Sequence, residues 1–412
     1  MKKKIGLLPR LLIGLLSGIL IGYLSKELFH LDFFVRLLAT FNGIFGNFLS
    51  YVIPFIIIGF VAPGIAELGK GAGRLLGITT LLAYLSTIIA GTFAYTVGNG
   101  ILPRLINAAS GNANNPEEAL VKGFFQVDIP PIMGVMTALI TAFLLGLGMA
   151  AIKNKTLYAA VKDFQEIVEL VIQKVIIPLL PFHIAGIFAN MTYAGEVVRI
   201  MQVFGSIFVI VILSHIVILL FQYTVAGAVS GKNPFQALKN MIPAYLTAIG
   251  TQSSAATIPV TLRSAKKNGI SDEVADFVIP LCATIHLSGS TITLTMASMA
   301  VMFMAGHVPN FGLMFPFILM LGVTMVAAPG VPGGAVMAAL GLLQSMLGFN
   351  EAQLSLMIAL YLTQDSFGTA VNVTGDGAIA LIVDKLAKRS TKKVTTAQEK
   401  IAGGEEKGCP SI

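Results

Sequence analysis

Apolar runs near the roughly 20 residues that a helix needs to cross a bilayer recur along almost the whole of this 412-residue chain. Segments such as Ile207–Phe221 and Phe311–Met325 carry no charge at all. With 55% hydrophobic and only 11% charged residues, the chain lacks the polar surface of a soluble domain. In lipid, every backbone N–H and C=O must be paired within the protein, which favours helices. The expected class is therefore an all-α, polytopic membrane protein.

Uninterrupted spans are expected near Leu11–Ser25, Leu37–Ile65, Leu75–Leu102, Ile132–Ile152, Phe164–Met191 and Met201–Gly231. The linker Ile106–Glu118 is the one long polar loop. Beyond Gly231 the pattern changes. The run Asn240–Ala265 is broken by TQSSAATIP (Thr251–Pro259), and Phe311–Leu347 is broken by APGVPGG (Ala328–Gly334). Both read as helical hairpins that enter the membrane and return. A full span, Phe277–Met304, is interrupted by HLSGS (His286–Ser290). Irregular backbone at membrane depth is tolerated only where protein or a wet cavity surrounds it. Such breaks point to a solute site near the midplane.

The net charge of +7 comes from basic clusters at Met1–Arg10, Lys70 and Arg74, Lys153 and Lys155, Lys232 and Lys239, Arg263–Lys267 and Lys385–Lys407. Placed between the spans, these fall on one side, which makes both termini cytoplasmic in the inner (plasma) membrane. The charge reports topology, and no nucleic-acid partner is expected. Cys282 lies in an apolar segment and Cys409 in the tail, so no disulfide is expected. Lys2–Lys4 before Leu11–Leu20 could mimic a secretory leader, but an uncleaved first helix is the expectation. Residues 386–412 read as a flexible cytoplasmic tail.

The stretch Tyr361–Val383 reads YLTQDSFGTAVNVTGDGAIALIV. Its Asp365, Thr369, Asn372 and Asp376 fall at i, i+4, i+7 and i+11, on one helix face. A carboxylate at membrane depth costs about 3 kcal/mol unless partnered or wet. No Lys or Arg occurs from Asn268 to Asp384. A bound cation, a bound amine or a proton is then the expected counter-charge. A polar seam that glues helices would need no aspartates. The hairpin tips, with Ser253 and Ser254 in one and Val331 and Gly333 in the other, are weaker signals, since small-residue packing or a helix kink explains them equally well. His286 beside Ser288 and Ser290 is read as a hydrogen-bonded histidine or a proton carrier. A serine hydrolase with Ser290 as nucleophile lacks a third, orienting group, and no enzyme is expected.

From these residues the chain resembles the dicarboxylate/amino-acid:cation symporter family, which contains glutamate transporter homologues and bacterial sodium-dependent serine/threonine transporters. The carriers of the resemblance are TQSSAATIPV, PGVPGG and a D-x-x-x-T-x-x-N-x-x-G-D pattern met by Asp365, Thr369, Asn372, Gly375 and Asp376. The QDS start of that pattern is closest to the serine/threonine branch. The resemblance implies eight transmembrane helices, two re-entrant hairpins, a homotrimer and an elevator mechanism. Residues 1–74 and 103–200 would form the scaffold. Residues 75–102 and 201–385 would form the moving transport domain, with hairpins near 240–265 and 311–347.

By the same resemblance, Asp365 would bind the substrate amino group, and Asn372 and Ser254 its α-carboxylate. Ser253, Val331, Gly333, Gly368 and Thr369 would complete that site. Asp376 would hold a sodium ion with backbone oxygens of Asn372, His286 and Cys282, and oxygens near Thr284 would hold another. Two departures carry weight. Where acidic-substrate members have an arginine in the last helix, this chain has Gly368. A substrate side-chain carboxylate would then be unpaired, at a cost of several kcal/mol. An aspartate-bearing motif is replaced by His286-Leu287-Ser288-Gly289, and the span-three hydroxyls of the same sodium site become, by loose alignment, Thr80, Ala83 and Tyr84. Fewer coupled sodium ions are therefore expected, with a proton through His286 as an alternative. The expected function is sodium-coupled import of a small neutral amino acid, serine- or threonine-like. The alternatives are a glutamate/aspartate or C4-dicarboxylate symporter, coupled to sodium or protons, a substrate-gated anion pore, and a weakly coupled membrane-embedded binding sensor.

Overall fold

A computed structural model describes residues 7–70, 74–109, 120–195, 197–325, 328 and 332–402. Every regular element among them is helical. The first half contains α1 (Leu7–Tyr23), α2 (Phe33–Lys70), α3 (Arg74–Ala109), α4 (Val135–Ala151), α5 (Thr156–Val171), α6 (Ile177–Ala194) and α7 (Val197–Ser230). A π-helical turn at Ile172–Ile176 joins α5 to α6 without a break. Then come α8 (Pro234–Asn240), α9 (Ile242–Thr251), α10 (Ser254–Lys266), α11 (Asp272–Ile285), α12 (Ser288–Met304), α13 (Phe311–Met325), α14 (Gly334–Leu347) and α15 (Glu351–Ala402). Among the described residues, seven helical stretches are long and apolar enough to cross a membrane.

Each interruption has a local cause. α9 stops because Gln252 adopts a left-handed conformation, φ 53°, after which the Ser253 side chain caps α10 by accepting from Ala256 N–H at 3.2 Å. α14 begins after Gly333, φ 77°, where a side chain would be strained. At the start of α15, Asn350 and Gln353 cap each other's backbone N–H groups, at 2.9 and 3.1 Å. α9 packs on α10 and α13 on α14, so both interrupted runs form helical pairs. α15 continues past residue 386 to Ala402, so the start of the expected tail is helical. α3 runs to Ala109, past the expected start of the polar linker at Ile106.

Two groups of helices emerge from the packing. α2 lies against α4, α5 and α6, and α6 against α1. In the other group α12 and α15 pack on each other and on α3 and α7, with α9, α10 and α11 against α15. α12 is buried almost throughout. The α1–α6 contact depends on a glycine stripe at Gly14, Gly18 and Gly22. A Cβ on any of these would land on the backbone carbonyl of Pro181, Ala185 or Ala189 respectively. Without a hydrophobic force between helices in lipid, such close approach supplies the association energy.

The stripe predicts that Gly18→Val destabilises the protein by about 2 kcal/mol or more, by overpacking against backbone that cannot yield. Gly205, whose Cβ would meet nothing within 4 Å, is the control. Gly205→Ala should leave the melting temperature of detergent-purified protein unchanged or slightly raised.

Candidate functional site

The interruption between α11 and α12 turns the start of α12 into a helix N-terminus inside the protein, with N–H groups that need acceptors. Asn372 on α15 supplies one. Its Oδ1 accepts from Gly289 N–H at 2.8 Å and Ser290 N–H at 3.2 Å, and its Nδ2 donates to Ser290 Oγ at 2.9 Å. The Tyr361 hydroxyl donates to the same Oγ at 3.0 Å. On the other side of the Gly289 peptide, His215 of α7 donates from Nε2 to Gly289 O at 3.0 Å. Gly289 lets the two helices meet, because a Cβ there would come within 2.5 Å of Gly368 O. Gly368 therefore lies against the first turn of α12. It is not on the wall of the cavity described next.

Asp365, 5% exposed, is about two turns before Asn372. Its Oδ2 accepts from Gly333 N–H at 2.7 Å. A cavity of about 30 Å3 opens beside it, lined by the tip residues Gln252 and Ser254 of one helical pair and by Ala328 and Ala335 of the other. Asp365, Thr369 and Asn372 form its α15 wall. That volume admits a water or two and nothing larger. Gln252 is notable here. Left-handed backbone costs a non-glycine residue about 1–2 kcal/mol, and the residue keeps it at the cavity wall.

Asp376, 1% exposed, is not without a protein partner, contrary to expectation. His286 donates from Nδ1 to its Oδ1 at 2.9 Å. The partner is a histidine from the α11–α12 break, 90 residues earlier, rather than a lysine or arginine. His286 Nε2 meets Ser86 Oγ at 3.0 Å, and Gln222 Nε2 donates to Ser86 Oγ at 2.9 Å and to Ser288 Oγ at 3.1 Å. His286 faces Asp376 and Ser86 rather than Ser290, which removes the hydrolase arrangement. Glycines flank Asp376 for a reason. A Cβ on Gly375 would come within 2.7 Å of His286 Cε1, and one on Gly377 within 2.7 Å of Tyr223 Oη. Two oxygens here, Asp376 Oδ2 and Gln222 Oε1, are buried with no hydrogen-bond partner among the described residues. Oxygens left so are costly unless a cation or a donor answers them.

The remaining expected residues divide. Ser254 and Thr369 reach the cavity, and Gly333 holds Asp365. Ser253 uses its side chain to cap α10. The Cys282 carbonyl accepts from His286 N–H at 2.9 Å, and the exposed Thr284 turns its hydroxyl back to Leu281 O at 2.8 Å. Beyond Cys282 the last carbonyls of α11 lose their helical partners at the break, and such oxygens suit a cation. Val331 lies outside the described residues. From α3, the side chain that reaches His286 is Ser86, instead of Thr80, Ala83 or Tyr84. Ser86, Gln222, Tyr361 and Gln252 were not singled out in the sequence. Gln222, deep inside the apolar span Met201–Gly231, was the readable hint.

The sequence profile described as "Sodium:dicarboxylate symporter family" matches residues 7–386. The chain is 28% identical to excitatory amino acid transporter 2 of Homo sapiens over 282 residues, 66% of this chain and 48% of the relative. It is 27% identical to the Rattus norvegicus form of that protein over 293 residues, 69% and 50% of the two chains. Against excitatory amino acid transporter 1 of Ambystoma tigrinum, identity is 28% over 300 residues, 69% and 54%. The matches span about half the length of these relatives.

Asn372→Ala leaves two buried N–H groups unpaired. The expected cost is about 2–3 kcal/mol of stability. A melting temperature equal to that of the parent protein would show that Asn372 does not hold the helix break together.

Proposed function

This chain belongs to the sodium:dicarboxylate symporter family, and from that premise we propose that it imports a small neutral amino acid, serine- or threonine-like, together with sodium. The observation that carries the reading is the cavity at Asp365. It is bounded by both helix-pair tips and by the capped start of α12, and among the described residues no lysine or arginine lines it. Asp365 then receives the substrate amino group, while Ser254 and the unused Asn372 N–H receive the α-carboxylate. The positive end of α10 assists them. A second carboxylate on the substrate would find no cation, which disfavours glutamate and dicarboxylates, although the relatives are named for excitatory amino acids. Asp376 Oδ2 and the freed α11 carbonyls supply oxygens of the kind a hard cation takes. Ser86 and Ser288 are already engaged by Gln222 and His286, which supports fewer coupled sodium ions than the family pattern implies.

A cavity of about 30 Å3 must enlarge to admit an amino acid. The proposed route is a parting of the hairpin tips, followed by sliding of residues 75–102 and 201–385 against residues 1–74 and 103–200. The grouping of α2 with α4, α5 and α6, and of α12 with α3, α7 and α15, supports this division. The assembly is proposed to be a homotrimer in the inner (plasma) membrane, with both termini cytoplasmic.

Proteoliposomes with a sodium gradient should concentrate labelled serine or threonine, and excess glutamate should compete weakly. Uptake that is unchanged with choline in place of sodium would end the sodium reading. Asp365→Ala should weaken amino-acid binding by about a hundredfold or more, the scale of a lost buried ion pair. Asp376→Asn should weaken the sodium dependence of uptake. Normal uptake in both variants would remove the site.

A further inference from the structure

We infer that Gln252 selects the substrate by its side chain, and that the preferred class is amino acids bearing a hydroxyl or carboxamide. The inference rests on the reading that the Asp365 cavity takes an amino acid. Gln252 lies at the turn between α9 and α10 and lines that cavity across from Asp365 and Thr369. Its side chain makes no hydrogen bond to any described residue, although neighbouring Thr251, Ser253 and Thr257 are all bonded locally. Its backbone has φ 53° and ψ 26°, a conformation that glycine would adopt without penalty. A strained residue with an unused amide at a cavity wall points to a requirement for that side chain rather than for the turn.

The chemistry of the amide defines what it can recognise. A carboxamide offers one acceptor oxygen and two N–H donors. A hydroxyl or a second carboxamide satisfies both kinds of group at once. An aliphatic side chain leaves the amide unpaired once the cavity closes. A carboxylate uses only the donors, and no Lys or Arg lines the cavity to balance it. With Asp365, Ser254 and Asn372 assigned to the parts common to all amino acids, Gln252 and Thr369 remain on the wall to read the part that differs, and of the two only Gln252 carries a carboxamide.

The test measures binding of L-serine, L-asparagine and L-alanine to the purified full-length protein in sodium, by competition and by thermal stabilisation. The parent protein should prefer serine or asparagine over alanine by about tenfold or more, since a site built to hydrogen-bond rejects the analogue that cannot. In Gln252→Gly the preference should fall to within about threefold, with a melting temperature no lower than the parent's, because glycine relieves the left-handed backbone. Gln252→Asn, which keeps a shorter amide, should retain part of the preference. An unchanged serine-to-alanine ratio in Gln252→Gly, or parent protein that binds alanine as well as serine, would overturn the inference while leaving amino-acid transport intact. No stabilisation of the parent by any of the twenty amino acids would overturn the transport reading itself, and this inference with it.

Discussion

A helix that stops inside a membrane protein exposes N–H and C=O groups that no solvent can satisfy, and the centre of this molecule is organised by that constraint. The α11–α12 break creates the need, and Asn372 and His215 meet it from either side of the Gly289 peptide. Because Asn372 sits on α15, the same interaction fixes the register of α15 against α12. That register sets where Asp365 and Asp376 lie. It places one carboxylate beside the cavity and the other beside His286.

The two aspartates share a helix face but have different surroundings. Asp365 has a backbone N–H from the second helical pair and open space beside it. Asp376 has an imidazole on one oxygen and, among the described residues, no hydrogen-bond partner on the other. A carboxylate with open space beside it suits a ligand that comes and goes. A carboxylate with an orphan oxygen in a closed polar cluster suits a small cation. The glycines at 375 and 377 carry a helix-propensity cost of about 1 kcal/mol each, yet they let His286, Gln222 and Tyr223 close around Asp376.

Glycine also explains the contact between α1 and α6. Gly14, Gly18 and Gly22 repeat every four residues, so the seam was visible in the chain as a spacing. Nothing in the spacing named the partner, since a small-residue stripe fits any helix that brings its own backbone near. Gly289 is a similar case, since no local pattern shows that a Cβ there would strike the carbonyl of Gly368 on α15.

Hydropathy period and length determined the helical class, the place of each interruption and the acidic face of the last helix, because lipid penalises each departure from apolar helix and so makes it conspicuous. The reach of residues distant in sequence was decided only by the fold. His286 to Asp376, Ser86 to His286 and Gln222 to Ser288 are contacts between helices whose rotation and depth no local pattern encodes. Asp365 and Asp376 could be recognised from their own neighbours as charges in need of an answer. Whether the answer came from protein or from cargo depended on which helix packed opposite, and that is a property of the assembled core.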